Sequence, residues 1–203
     1  MKKKGFLRDA LVLFAITLLS AALLACVYTL TKDPIEKAAN EAKQKACETV
    51  YPGASFSPLD GGEELLATVN DTFANDKAEG VGISLKRAHV SEILRATDKD
   101  GNAVGYVVSA LSKSGYGGEI DAVVGVTDAG EICGFTVLSH SETAGFGAKC
   151  DDPEYQKTFV GKHLATDVDV ISGATYTSNA LKEICGAALY TARQAESGVS
   201  ADA

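Results

Sequence analysis

The densest cluster of reactive groups in this chain is the run Asp169-Val170-Ile171-Ser172-Gly173-Ala174-Thr175-Tyr176-Thr177-Ser178, with four serine and threonine hydroxyls and one glycine in ten residues. The preceding Val168 to Ile171 reads as a short strand. Asn179 to Gln194 reads as an amphipathic helix, with Leu181, Ile184, Ala188 and Leu189 near one face. A helix N-terminus presents unpaired backbone N–H groups and the positive end of the macrodipole, which suits a phosphate. Gly173 lets the backbone come close or take a positive φ. Such a cluster before a helix is more often plain N-capping, so the residues alone leave capping and phosphate binding both open, with capping the commoner case.

A second polar run, Ser139-His140-Ser141-Glu142-Thr143-Ala144-Gly145-Phe146-Gly147, reads on its own as a capped turn. A third, Gly115-Tyr116-Gly117-Gly118, also reads as a turn. His89, His140 and His163 have no metal-ligand spacing, so no metal site is expected. Ser139 and His140 are adjacent and lie in no nucleophile-elbow pattern, which argues against a hydrolase triad. No catalytic residue is assigned.

Positioning these residues requires a folded domain, and the sequence places a membrane anchor before it. Ala10 to Leu30 carries no charged residue. Twenty-one helical residues rise about 31 Å, matching a hydrocarbon core of about 30 Å. Lys2, Lys3, Lys4 and Arg8 precede it, which predicts a cytoplasmic N-terminus (1–9), a transmembrane helix (10–30) and an extracytoplasmic remainder. A cleaved signal or lipoprotein signal fits less well, because the apolar run continues past Cys26. Asp33-Pro34 predicts the start of a helical stalk (31–53), with Ile35, Ala38, Ala39, Ala42 and Ala46 as a weak apolar stripe.

The remaining chain is long enough for one domain with a real core (54–195), followed by a flexible tail (196–203). Residues 54–90 are ambiguous. Glu92–Thr97 and Ala103–Ala110 flank Lys99-Asp100-Gly101-Asn102 as a hairpin. Ile120–Thr127 and Glu131–Leu138 flank Asp128-Ala129-Gly130 as another. Cys133 is expected on one face with Phe135 and Val137, and 153–159 as a short helix. The fold class is therefore α+β, an antiparallel sheet with flanking helices behind a single N-terminal transmembrane helix. The chain has net charge −8, and its exported part is more acidic still, which argues against nucleic acid as a partner. Cys47, Cys133, Cys150 and Cys185 are compatible with disulfides or with buried thiols.

The run Asp169-x-x-Ser172-Gly173-Ala174-Thr175 resembles the flavinylation motif of the FMN-binding domain family. That family includes the G component of Rnf-type ion-translocating electron-transport complexes and the C component of sodium-translocating NADH:quinone reductases. The second run resembles its His-x-Glu-Thr-Pro-Gly-Leu-Gly segment, with Ala144 in place of Pro and Phe146 in place of Leu. The third resembles its Gly-Tyr-Gly-Gly stretch, and the likeness spans roughly residues 101–189.

The resemblance implies covalent FMN joined through its phosphate to Thr175, with Asp169 in the recognition sequence of a separate flavin transferase that uses FAD and magnesium. Ser172, Gly173, Ala174, Thr177, Ser178, Glu142, Thr143, His140 and Tyr116 are implied around the cofactor. It further implies an electron carrier without substrate turnover of its own, in a ferredoxin- and NAD-linked ion-pumping complex of the inner membrane. The short chain favours the Rnf type. Alternatives are a flavinylated carrier of a quinone-reductase or extracellular electron-transfer system, or a non-redox anchored binding module.

Overall fold

The structure, a computed structural model, describes the backbone of residues 3–201 and the side chains of residues 8–198. The side chains of Lys2, Lys3 and Lys4, and the end of the expected tail, lie outside the described residues. The chain forms two compact units, Met1–Ala42 and Lys43–Ala203.

The first unit is helical. Helix α1 (Lys3–Val50) includes the apolar run, whose large side chains are exposed; Leu24 and Leu30 are each 71% exposed. So many exposed leucines are stable only in an apolar solvent, and the helix is long and apolar enough to cross a membrane. It is a single-pass membrane anchor. Asp33 does not start a new helix, because α1 passes through Pro34. Pro34 removes one backbone donor. The strong helix formers Glu36, Lys37, Ala38 and Ala39 follow it, and Lys32 pairs with Glu36 at 3.7 Å, so helix continues on both sides.

The second unit is built on a five-stranded antiparallel sheet in the order β1 (Ser55–Pro58), β2 (Ala88–Thr97), β3 (Ala103–Ser112), β4 (Ile120–Thr127), β5 (Ile132–Ser139). Both predicted hairpins form. The ambiguous stretch before them supplies the edge strand β1 and helix α2 (Gly62–Ala74). One sheet face carries Val90, Ile93, Val108, Ala110, Val124 and Phe135 into the main core, under α2 and helix α4 (Thr175–Ala201). The short helix α3 (Pro153–Lys157), capped by Asp152, is tied to β5 by Phe159, which stacks on Phe135 at 4.1 Å.

The other face receives the end of α1, where Ala46, Cys47 and Val50 are buried with Val107 and Val123. The expected stalk therefore ends as a core element of the sheet unit. Gly125 and Gly134 are register partners, and a methyl on either would run into Val50 backbone atoms, so the helix end sits in a glycine notch. Cys133 occupies a register shift between Val126/Ile132 and Gly125/Gly134. That bulge breaks the two-residue period and turns its thiol toward Val50 O, 3.6 Å away, not to the Phe135 face as expected.

Helix α4 is buried nearly all round. Leu181 and Ile184 face the core, and Gly186 lets Val81 and Leu85 close on its back. The expected strand at Val168–Ile171 does not form, since these residues pair with no strand. The helix starts at Thr175, four residues before the predicted Asn179, and continues past the predicted tail boundary to Ala201.

Candidate functional site

Antiparallel order brings the end of β3, the start of β4 and the end of β5 to one end of the sheet: Ser112 pairs with Ile120, and Asp121 with Ser139. The three polar runs of the sequence are the segments that leave this end. The β3–β4 turn holds Gly115–Gly118, the loop after β5 holds His140–Gly147, and the start of α4 arrives beside them.

The approach to α4 is a tight turn. Ala174 N donates to Ile171 O at 3.0 Å across Gly173, whose φ of 78° is the left-handed value that glycine permits. Ser178 locks this turn from inside the helix. Its hydroxyl donates to Ala174 O and accepts from Ile171 N, both at 2.9 Å. Ser178 therefore braces the turn ahead of the helix and is not an N-cap, since the N–H it accepts belongs to Ile171, before α4 begins.

Glu142 is the hub of the site. Its buried carboxylate accepts the Gly117 N–H on Oε1 at 2.8 Å and the buried Thr177 hydroxyl on Oε2. Glycine is required where the other segments crowd this carboxylate: a methyl on Gly115 or Gly147 would run into it. His140 braces the same loop. Its Nδ1 accepts from Glu142 N at 3.0 Å, so Nε2 carries the proton and faces Asp151 Oδ2 at 3.2 Å. Thr143 O accepts from Phe146 N and Ala148 N, closing a turn at Ala144-Gly145.

These segments enclose a cleft of about 440 Å³, within the roughly 300–1,000 Å³ of small-molecule sites. Tyr116, Glu142, Thr143, Gly173, Ala174, Thr175 and Thr177 line it; Ser172, Ser178, His140 and Asp169 do not. Asp169 lies on the outer approach, where its carbonyl accepts from Tyr155 OH at 2.7 Å. Sequence reasoning passed over Tyr176, Gly147 and, as a cleft wall, Phe146. Tyr116, Phe146 and Tyr176 are exposed aromatic rings at its mouth, with the Tyr116 and Tyr176 centroids 6.3 Å apart. An aromatic residue next to the candidate threonine was the only signal for Tyr176.

Residues 115–190 match the FMN-binding domain family, which covers the β3–β4 turn, the loop after β5 and the start of α4. Residues 1–50 match the RnfG N-terminal region. Over 176 residues the chain is 34% identical to the G subunit of the ion-translocating oxidoreductase complex of Methanosarcina acetivorans, covering 82% of this chain and 83% of that one. The chain belongs to the RnfG family.

Another RnfG relative, the G subunit of the Na(+)-translocating ferredoxin:NAD(+) oxidoreductase complex of Acetobacterium woodii, is 28% identical over 94% of this chain and 86% of its own length. Among solved structures, Shewanella oneidensis NqrC matches with a TM-score of 0.47 and 22% identity, over 55% of this chain and 61% of that one.

The residues of the cleft fit an FMN. Its volume, its aromatic rim and the N-terminus of α4, which opens on the cleft at Thr175, suit a flat ring system carrying a phosphate. No group of His, Cys, Asp and Glu able to hold a metal occurs among the described residues.

Proposed function

We propose that this RnfG-family chain carries FMN as a phosphoester on Thr175 and relays electrons within a membrane-bound, ion-translocating oxidoreductase complex linked to ferredoxin and NAD. One observation carries the assignment of the attachment point. Of the four hydroxyls in the cluster, Thr177 and Ser178 are buried and already donate, and Ser172 lies outside the cleft. Thr175 is exposed, lines the cleft and has no side-chain hydrogen bond among the described residues.

In this reading Thr175 Oγ attacks the flavin-side phosphorus of FAD on a separate magnesium-dependent transferase, losing its proton as AMP departs. Asp169, exposed on the approach to the turn, belongs to the surface that enzyme reads. The diester keeps one negative charge, which the N-terminus of α4 stabilises by about 0.3–1 kcal/mol per interaction. FMN supplies one- and two-electron chemistry that the side chains lack. Tyr116, Phe146 and Tyr176 cover its apolar surface, and Glu142 holds the walls of the cleft together.

The basic residues before the anchor support a cytoplasmic N-terminus with the flavin domain on the other side of the membrane. Partners are the other subunits of the complex. The test is co-expression with a flavin transferase, followed by in-gel fluorescence and intact mass of the denatured protein. A fluorescent band heavier by one FMN less water supports the reading, and a dark band beside an active transferase control refutes it.

A further inference from the structure

The β3–β4 turn is held by two carboxylates, and only one of them belongs to the cleft. Glu142 grips the tip of the turn at Gly117 N. Glu183, on α4 and outside the cleft lining, grips its base. Ser112 Oγ donates to Glu183 Oε2 at 2.6 Å, and Ser114 Oγ lies 2.7 and 2.8 Å from its two oxygens. Ser112 Oγ in turn accepts from Ser114 N at 3.1 Å. Both serines are buried and Glu183 is half-buried, and the bonds to its carboxylate are charge-assisted.

Glycines dominate the turn between the two grips. Gly115, Gly117 and Gly118 surround Tyr116, whose own ring is 72% exposed. A turn of this composition has little intrinsic preference for one shape. Beyond Ser112, which is paired in the sheet, and the packing of Gly117 on Ser141, the two carboxylates are the side chains that hold this turn, and with it Tyr116, relative to Tyr176 on the first turn of the helix that carries Glu183.

We propose that Glu183 is a positioning residue of the flavin site. Through Ser112 and Ser114 it fixes the base of the β3–β4 turn to α4, and thereby sets the Tyr116 ring at the cleft mouth. This rests on the reading that FMN occupies the cleft. Glu183 touches neither the cofactor nor the cleft; it acts through Tyr116.

The experiment uses full-length protein in detergent, with and without flavin. A tyrosine ring held against the flavin quenches its fluorescence in the native state. Glu183→Ala and Tyr116→Leu are each expected to lose that quenching. The Glu183→Ala/Tyr116→Leu double variant is expected to be no brighter than Tyr116→Leu alone, because both changes remove one contact. Glu183→Gln, which keeps an acceptor oxygen for the serines, is expected to restore part of the quenching.

In flavin-free protein, Glu183→Ala is expected to speed hydrogen exchange at the amides of Ser114 and Gly117. Circular dichroism confirms that each variant is folded, and the Gln variant carries the test should the Ala variant not fold. Native quenching unchanged in a folded Glu183→Ala, or added brightness in the double variant, overturns the proposal. Unchanged exchange at Ser114 and Gly117 overturns it independently of flavin. A wild type with no covalent flavin instead refutes the attachment reading, and the exchange measurement then still decides the role of Glu183.

Discussion

Thr177 donates a hydrogen bond from its hydroxyl to Glu142, a residue 35 positions earlier in the chain, while the other oxygen of the same carboxylate accepts from the Gly117 N–H. One buried side chain thus ties the first turn of α4 to the loop after β5 and to the β3–β4 turn. Glu142→Ala strands a buried hydroxyl and a backbone N–H and is expected to cost about 1–3 kcal/mol for each group left unsatisfied. Glu142→Gln keeps one acceptor and is expected to cost less. Urea unfolding of the two variants beside the wild type measures the difference.

The two threonines of the first turn are expected to behave in opposite ways. Thr175→Ala removes the covalent flavin while leaving the unfolding midpoint within about 0.5 kcal/mol of wild type, as for other surface changes. Thr177→Val does the reverse, lowering stability but retaining a fluorescent band on a denaturing gel. Mass spectrometry of a tryptic digest locates the adduct in each.

The glycine notch under α1 makes a packing prediction. The three atoms nearest a methyl at Gly134 are all backbone atoms of Val50, which cannot rotate away. Gly134→Ala is expected to destabilise by about 1–3 kcal/mol through overpacking. The added methyl of Gly125→Ala meets Cys133 Sγ at 2.8 Å as well as Val50 O at 2.9 Å. A Gly125→Ala/Cys133→Ala pair is therefore expected to recover part of the loss in a thermal melt.

At the loop after β5, Ala144 and Gly145 are the central residues of the turn closed by Phe146 N and Thr143 O, with Gly145 at φ 79°. The residue ahead of a left-handed glycine in such a turn suits proline. Ala144→Pro is expected to stabilise the protein by about 0.4–1 kcal/mol, chiefly by restricting the unfolded chain. A lower Tm would show that the Ala144 backbone is incompatible with the ring.

Asp121 predicts a pH dependence. Burial raises its pKa above the usual carboxylate value; nearby Lys43 opposes this and Glu119 adds to it. Its Oδ1 has no hydrogen-bond partner among the described residues. A carboxyl whose pKa is higher folded than unfolded binds its proton more tightly in the native state, so its contribution favours folding at low pH. That contribution is lost as pH rises from the unfolded value of about 3.9 through the folded one. Asp121→Asn is expected to be more stable than wild type at pH 7, with the gap closing toward pH 4. Denaturant midpoints across that range measure it.

Both hairpins were legible because Asp100-Gly101 and Asp128-Ala129-Gly130 interrupt alternating apolar runs, and turn and period agreed. The face of Cys133 was not, because one extra residue in β5 resets the alternation, and nothing in the sequence marks a bulge. The start of α4 was placed four residues late, since Thr175, Tyr176 and Thr177 are indifferent helix formers held helical by Glu142 and the Ile171–Ala174 turn. Helix α2 and strand β1 stayed ambiguous for a similar reason: β1 exists only through its pairing with Ser55↔Thr97 to Pro58↔Leu94, more than thirty positions away. At the site, the motif resemblance, not the spacing alone, pointed to Thr175 and Gly173, and both line the cleft. The bracing role of Glu142 was not, because its partners lie in two other segments.

The cysteines bear on how this protein lives with oxidants. Cys47, Cys133, Cys150 and Cys185 are all unpaired thiols. Burial pushes each of them up, Cys133 to about 11 and Cys150 to about 12. Thiol–disulfide exchange proceeds through the thiolate, which these positions suppress at neutral pH and shield from attack. The fold therefore holds together without a disulfide among these four cysteines.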